Sequence, residues 1–244
     1  MKGVSLDSKL FASFEKAVAD IPDGASVMIG GFATAGVPFN LLRALYFQGA
    51  SNLTLIANSG AAARDGMITA ANLIDEKRVR KVVFAFTAGT HPSRPVSLQL
   101  LEEAGEIEAE LVPQGTLAER IRAAGAGVPA FYTPASVGTA LANGKEHRDF
   151  GGRTFVMEQA LPADYAFVRA WKADEFGNLQ FHQSARNFNP IMAMAAACTI
   201  VEAEEVVPTG SMDPDFIHTS GVYVHRIVTI PPDGVLHVNP RLGD

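Results

Sequence analysis

The chain has 244 residues, 48% of them hydrophobic and 19% charged, with a formal net charge of −6 from 20 basic and 26 acidic side chains. That balance belongs to a compact globular protein, and with no basic patch it argues against nucleic acid as a partner. The single cysteine, Cys198, rules out an intramolecular disulfide, and no apolar run approaches the about 20 residues that span a bilayer.

The N-terminal stretch MKGVSLDSKLFASFEKAVADI carries Asp7, Glu15 and Asp20 where an export signal needs an apolar run. It reads as an amphipathic helix, and the protein as cytoplasmic. Asp7 or Ser8 is placed to cap this helix, and Pro22-Asp23-Gly24 to end it. Residues 26–29 then form a short apolar strand that runs into Gly30 and Gly31. Pro38 fits the first turn of the next helix, because its missing N–H would have no partner there. That helix sets Leu41, Leu42, Leu45 and Tyr46 at helical spacing and stops at Gln48-Gly49.

Residues 53–56 and 79–86 read as buried strands, with a helix over 66–74 between them. A helix over 97–103, a strand over 107–112, a helix over 117–124 and a strand over 129–132 follow. Asn143-Gly144 and Gly151-Gly152 bracket a polar segment that suits a hairpin or excursion. Residues 165–171 are strand-like, Gly177-Asn178 is a turn, 189–197 is an alanine-rich helix and 199–201 a further buried strand. Short apolar strands alternating with helices imply parallel pairing with both faces covered. The expected fold is α/β, an open three-layer α/β/α arrangement around a mainly parallel sheet, in a single domain over residues 1–244.

In such sheets ligands bind beyond the carboxyl ends of the strands. Gly30-Gly31-Phe32, followed by Gly36 and Pro38, lies there; two adjacent glycines admit a ligand close to the backbone and expose N–H donors. The same glycines also suit a turn that only packs helix on strand. Asn58-Ser59-Gly60 ends the next strand, and Pro113-Gln114-Gly115 ends another, with Thr116 as the cap of the following helix. Their amides can hold a carbonyl, or serve as ordinary turn residues. Three polar loops on one edge make a concave floor of the kind that binds small molecules.

Acid–base and nucleophilic candidates are poor. His91, His147, His182, His218, His225 and His237 include no pair at metal-ligand spacing, so no metal site is expected. Ser93, Ser136 and Ser184 lack a G-x-S-x-G elbow, and Cys198 sits in the apolar run 195–200 as a packed thiol. Glu202, Glu204 and Glu205 read as a solvated face or an oligomer surface.

The blocks GGFATAGVP, LTLIANSG, VPQGTLAERIRAAGAGVPAFYTP, GKEHRDFGGR, AWKADEFGN, ARNFNPIMAMAA and VEAEE occur in one order. Together they closely resemble the A (alpha) subunit of family I CoA-transferases, of the 3-oxoacid and 3-oxoadipate type, over roughly residues 8–228. The resemblance implies that the glycine turn faces coenzyme A and the acyl group. It also implies that the nucleophilic glutamate, set in an S-E-N-G-like motif, belongs to a partner B (beta) subunit, so that this chain supplies no catalytic residue. Consistently, Glu-Asn-Gly occurs nowhere in the sequence. Gly30, Gly31, Phe32, Gly36 and Pro38 match the family's glycine loop; Asn58 matches the first of two neighbouring active-site asparagines, Ser59 replaces the second, and Gln114, followed by Gly115, matches a glutamine held near the oxo acid. Ala33 stands where many members have another glycine, and residues 87–96 and AAARDGM after Gly60 depart from the family's usual text. The resemblance implies a heterodimer or heterotetramer, acyl-CoA and 3-oxo acid substrates, and no tightly bound cofactor, the coenzyme A thioester being substrate.

Overall fold

The computed structural model describes residues 8–60, 66–87, 96–232 and 234. The first four strands, β1 (Ser26–Ile29), β2 (Leu53–Ser59), β3 (Val79–Phe86) and β4 (Glu108–Leu111), lie side by side in chain order. Helices α2 (Phe39–Gln48), α3 (Ala70–Asp75) and α4 (Ser97–Glu103) connect them, and α1 (Phe14–Val18) precedes them. After β4 comes α5 (Gln114–Gly125), then a small antiparallel sheet of β5 (Ala130–Thr133), β6 (His147–Phe150) and β7 (Arg153–Gln159) in the order β5-β7-β6. The chain returns through β8 (Ala163–Asp174), β9 (Leu179–Gln180), α6 (Asn189–Ala195), β10 (Ala196–Val207) and β11 (Arg226–Thr229). The main sheet runs β11-β10-β8-β1-β2-β3-β4 with every neighbouring pair parallel, while β9 pairs antiparallel with the end of β8.

Alternation along each strand sorts the core into two layers. Val27, Ile29, Leu55, Ala57, Val82 and Phe84 pack with Val18, Leu41, Leu45, Leu73 and Leu98 of α1 to α4. Met28, Ile56, Val83, Ala166 and Val168 face the other way, against Leu117 and Ile121 of α5 and Met192 of α6. This is the expected α/β/α sandwich, with strands buried on both faces, which is why they read as apolar runs without alternation.

Several expectations are corrected. Ser13, whose side chain accepts from Lys16 N, caps α1; the Ser8 hydroxyl instead takes the Leu10 N–H, and Asp7 lies outside the described residues. Pro38 is the residue before α2 rather than its first turn. The helix expected from Gly66 starts only at Ala70. Thr116 is no cap: α5 already begins at Gln114, behind Pro113, and Thr116 is buried inside its first turn. The strand expected at 129–132 exists as β5, but in the antiparallel sheet. Gly151 and Gly152, with φ of 57° and 80°, form the two-residue link between β6 and β7, a geometry that matches strand twist and suits glycine. Arg120 of α5 joins this sheet to the body through Glu110 Oε1 at 2.6 Å and the Gln159 carbonyl at 3.0 Å.

Candidate functional site

Helices α2 to α4 lie on one face of the sheet, while α5 and α6 lie on the other. The chain therefore leaves β1 toward one face and β8 toward the opposite face, and these strands are neighbours. That divergence opens a crevice at the carboxyl ends of β1 and β8, the usual ligand position in open α/β sheets. The glycine loop, 30–38, and the segment 183–189 meet in it.

Asn189 fills the crevice. Fully buried, its Nδ2 donates to the carbonyls of Gly36 at 3.0 Å and Ala185 at 2.8 Å, and its Oδ1 accepts from Arg169 N at 3.2 Å. Asn187 adds a bond from its Nδ2 to the Ala35 carbonyl at 3.0 Å. Glycine is demanded here by neighbours as well as by backbone. A Cβ on Gly30 would sit 2.0 Å from Asn189 Oδ1, and one on Gly31, whose φ is +105°, would sit 2.5 Å from Val37 Cγ2. Both readings of the turn thus meet in one structure: it is packed tightly, and it stands at the ligand edge. Its donors are not equivalent. The Gly30 N–H already donates to the Phe167 carbonyl at 2.9 Å and Phe32 N to Ala35 O at 3.0 Å, whereas the Gly31 N–H has no acceptor among the described residues. Phe32 is exposed at the tip of the loop.

Asn58 and Gln114 come together. They end β2 and open α5, on either side of β3, and Gln114 Nε2 donates to Asn58 Oδ1 at 2.6 Å. Asn58 is buried on the α5–α6 side, in alternation with Ile56. Ser59, the next residue, points by the same alternation to the α2 side, so the two positions do not form one pair. Gly115 lies in the first turn of α5, and a Cβ there would meet nothing within 4 Å. An open polar hollow lined by Thr139, Asn143, Lys145 and His147 includes none of these residues.

The residue that sequence reasoning missed is Glu202. Expected on a solvated face, it lies inside β10, fully buried. Its Oε2 accepts from the N–H groups of Asn40 and Leu41 at 3.0 Å each, and its Oε1 faces Asn40 Nδ2 at 3.5 Å and Arg169 Nη1 at 3.4 Å. It caps α2, whose preceding Pro38 offers no side-chain cap. Burial pushes its carboxyl up to about 7, against the opposing effect of Arg169. Glu204 and Glu205 are the exposed residues of the group and pair with Arg169 and Lys172. The available signal was the missing local cap at Pro38, combined with the position of Glu202 in a run that continues a central strand. Cys198 is half-buried, and desolvation raises its thiol, which suits a packed rather than an attacking sulfur. Among the described residues no cluster of His, Cys, Asp or Glu can hold a metal, and no helix is long and apolar enough to cross a membrane.

Fold and crevice define an α/β enzyme scaffold whose own side chains bind and orient, and whose edge carries amides and glycine N–H groups rather than a nucleophile. Residues 11–229 match the coenzyme A transferase family, and the chain belongs to that family. The alpha (A) subunit of a probable succinyl-CoA:3-ketoacid coenzyme A transferase from Bacillus subtilis is 46% identical over 220 residues, 90% of this chain and 89% of that one. The alpha (A) subunit of the 3-oxoadipate CoA-transferase from Pseudomonas putida is 46% identical over 223 residues, 91% of this chain and 94% of the other. Among solved structures, an acyl-CoA transferase from Escherichia coli O157:H7 superposes with a TM-score of 0.79 at 22% identity, covering 98% of this chain. This chain spans only 50% of that one. A variant of the decarboxylase AibA/AibB is 28% identical with a TM-score of 0.74, covering 96% of this chain and 88% of its own.

Proposed function

We propose that the chain is the alpha subunit of a heteromeric CoA-transferase that moves CoA from an acyl-CoA donor such as succinyl-CoA to a 3-oxo acid, acetoacetate or 3-oxoadipate. The observation that carries this reading is a polar, glycine-lined sheet edge with no nucleophile of its own, in a chain 46% identical to proteins named as alpha (A) subunits of such enzymes. The nucleophile is a glutamate of the beta subunit, with which this chain forms a heterodimer or heterotetramer, as a single domain working in the cytoplasm without a tightly bound cofactor.

In the ping-pong sequence the partner's glutamate attacks the thioester carbonyl, and CoA leaves as the thiolate while an acyl–glutamyl anhydride forms. The thiolate then attacks the glutamyl carbonyl, expelling the donor's carboxylate and leaving a glutamyl-CoA thioester. The carboxylate of the 3-oxo acid attacks that thioester, and the same steps in reverse release its CoA ester. In this scheme the Gly31 N–H, Asn58 and Gln114 orient the acyl group and stabilise developing oxyanions. Losing one donor of this kind costs about 2.7–4 kcal/mol in the transition state.

The test is an assay of the assembled subunits with succinyl-CoA and, separately, acetoacetate, 3-oxoadipate or water alone. Transfer to a 3-oxo acid with negligible hydrolysis is the expected result. A second reading, as part of a CoA-ester hydrolase or lyase, draws on the 28% identity to the AibA/AibB decarboxylase, and thioester loss in water alone supports it. A metabolite-binding module without catalysis is the reading that remains if no neighbouring gene encodes a Glu-Asn-Gly partner.

A further inference from the structure

The glycine loop is held at its far end from three directions. Asn187 and Asn189 bind the carbonyls of Ala35 and Gly36, and Glu202 binds the first turn of α2, which follows the loop directly. The first two holds are neutral amides. The third is a carboxylate brought from β10, 162 residues away in sequence from Asn40, and fully buried. A local Ser, Thr or Asp at position 38 would cap α2 without burying a charge. An ionisable cap inside the sheet carries a desolvation penalty that a neutral one does not. It does something else in return: it ties the loop to Arg169, whose backbone N–H is bonded by Asn189 and whose guanidinium faces Glu202 at 3.4 Å and Glu204 at 3.1 Å. Loop, helix start, β8 and β10 thereby share one charged junction.

From this junction we propose that Glu202 is a positioning residue for the transfer reaction: its carboxylate fixes the start of α2 and, through it, the glycine loop that receives the acyl group. The inference rests on the CoA-transferase reading for its kinetic part and on the structure alone for its conformational part. The carboxylate grips through two different oxygens. Oε2 takes both helix N–H groups, while Oε1 meets only donors, Arg169 Nη1 and Asn40 Nδ2. A proton placed on Oε1 sets O–H against those donors, and glutamine at this position sets N–H against them. Both changes loosen the junction without altering its volume.

The groups facing the carboxyl are few. β8 contributes Arg169, with Glu204 on its other nitrogen; α2 contributes N–H groups and the Asn40 amide; and the register partner on β11 is the uncharged Val228. Burial raising this carboxyl to about 7 makes the junction sensitive around neutrality, ionised and closed above that pH and protonated below it.

Hydrogen exchange of the full chain tests the conformational part without any activity. After correction for intrinsic rates, the peptide carrying Asn40 and Leu41 should be several-fold better protected at pH 8 than at pH 6. In Glu202→Gln the protection should be low at both. In the assembled subunits, Glu202→Gln should lower kcat and kcat/KM together by about tenfold or more, leave the acyl-CoA KM nearly unchanged, and remove a rise in kcat/KM around pH 7. Arg169→Met should give the same pattern. Wild-type exchange that is flat from pH 6 to 8 overturns the proposal even if the variants fail to fold. So does a folded Glu202→Gln with wild-type rates and pH profile. If the wild-type assembly transfers no CoA, the functional reading fails, and the exchange data still decide the role of Glu202 in holding the loop.

Discussion

Asn58 and Gln114 belong to segments separated by a third strand, yet they share a 2.6 Å hydrogen bond. That contact changes what a double-mutant cycle measures, because two groups that touch couple with or without a substrate. Two cycles separate the effects. Melting of the lone chain should give a coupling of about 0.5–1.5 kcal/mol, the usual net worth of such a bond. Turnover of the assembled subunits should give a larger coupling, with each single alanine variant lowering kcat/KM by roughly tenfold to a thousandfold, if both amides hold one acyl group. Equal couplings in the two measurements would reduce the pair to a structural tie. Gly31 belongs to the same scale and changes its expected behaviour on inspection of its neighbours. With φ at +105° and Val37 Cγ2 2.5 Å from the place of a Cβ, Gly31→Ala should destabilise the chain by more than about 1 kcal/mol in urea unfolding, and Gly31→Val by more again. A Gly31→Val protein with unchanged melting, as the sequence alone suggested, would mean that the loop yields. The glycines were visible in the sequence because a Gly-Gly turn after an apolar run has few other uses. Asn189, which makes them obligatory, was not, because nothing in ARNFNP says which backbone it will bond.

At the level of elements, strands β1 and β3 match their expected bounds and most helices lie within a few residues of theirs, because apolar runs with glycine and proline punctuation are local signals. β5 was legible as a strand but not as part of the antiparallel sheet, since propensity carries no information about the partner. Glu202 was misread for a related reason. Three glutamates within four residues look solvated, and only the position of β10 between β8 and β11 puts the first of them inside. Its ionisation leads to a pH prediction with a definite sign. The folded-state pKa, about 7, lies above the ordinary 4.5, so the folded chain binds more protons than the unfolded chain between those values. The stabilising contribution of Glu202 is therefore complete below 4.5 and is lost as pH rises through about 7. Carboxylates held low by partners act at the other limit. Asp164, lowered by the Ser26 hydroxyl and N–H, and Asp20, lowered by Arg226, contribute above the ordinary carboxylate range and lose that contribution in acid. Thermal melting across pH should fall on both sides of an optimum, and Glu202→Gln should remove the decline between about 5 and 7.5 while leaving the acid limb in place. An unchanged profile in that variant would show that Glu202 titrates as an ordinary carboxylate. Ionisation thus opposes stability over the same range in which it closes the junction at the glycine loop.

At the scale of the whole molecule, the sheet edge presents an exposed Phe32 and paired amides, with no group placed to attack a thioester among the described residues. The thiol of Cys198 is raised by desolvation, and the fully buried carboxylate of Glu202 is engaged with the start of α2. The chain alone should therefore give no transfer from succinyl-CoA to any 3-oxo acid, while co-expression with a partner carrying Glu-Asn-Gly should restore turnover. The location of the covalent step distinguishes this from a merely stabilising partner. Incubating the assembled subunits with succinyl-CoA and no acceptor should leave a CoA-sized mass increment on the partner, within its Glu-Asn-Gly peptide, and none on this chain. Adding acetoacetate or 3-oxoadipate should discharge that increment at the rate of turnover, because a true intermediate must be consumed as fast as product forms. An adduct found on this chain, or turnover by this chain in isolation, would reverse the division of labour: the nucleophile would then be a group of its own, and the glycine loop would be its oxyanion site rather than its partner's.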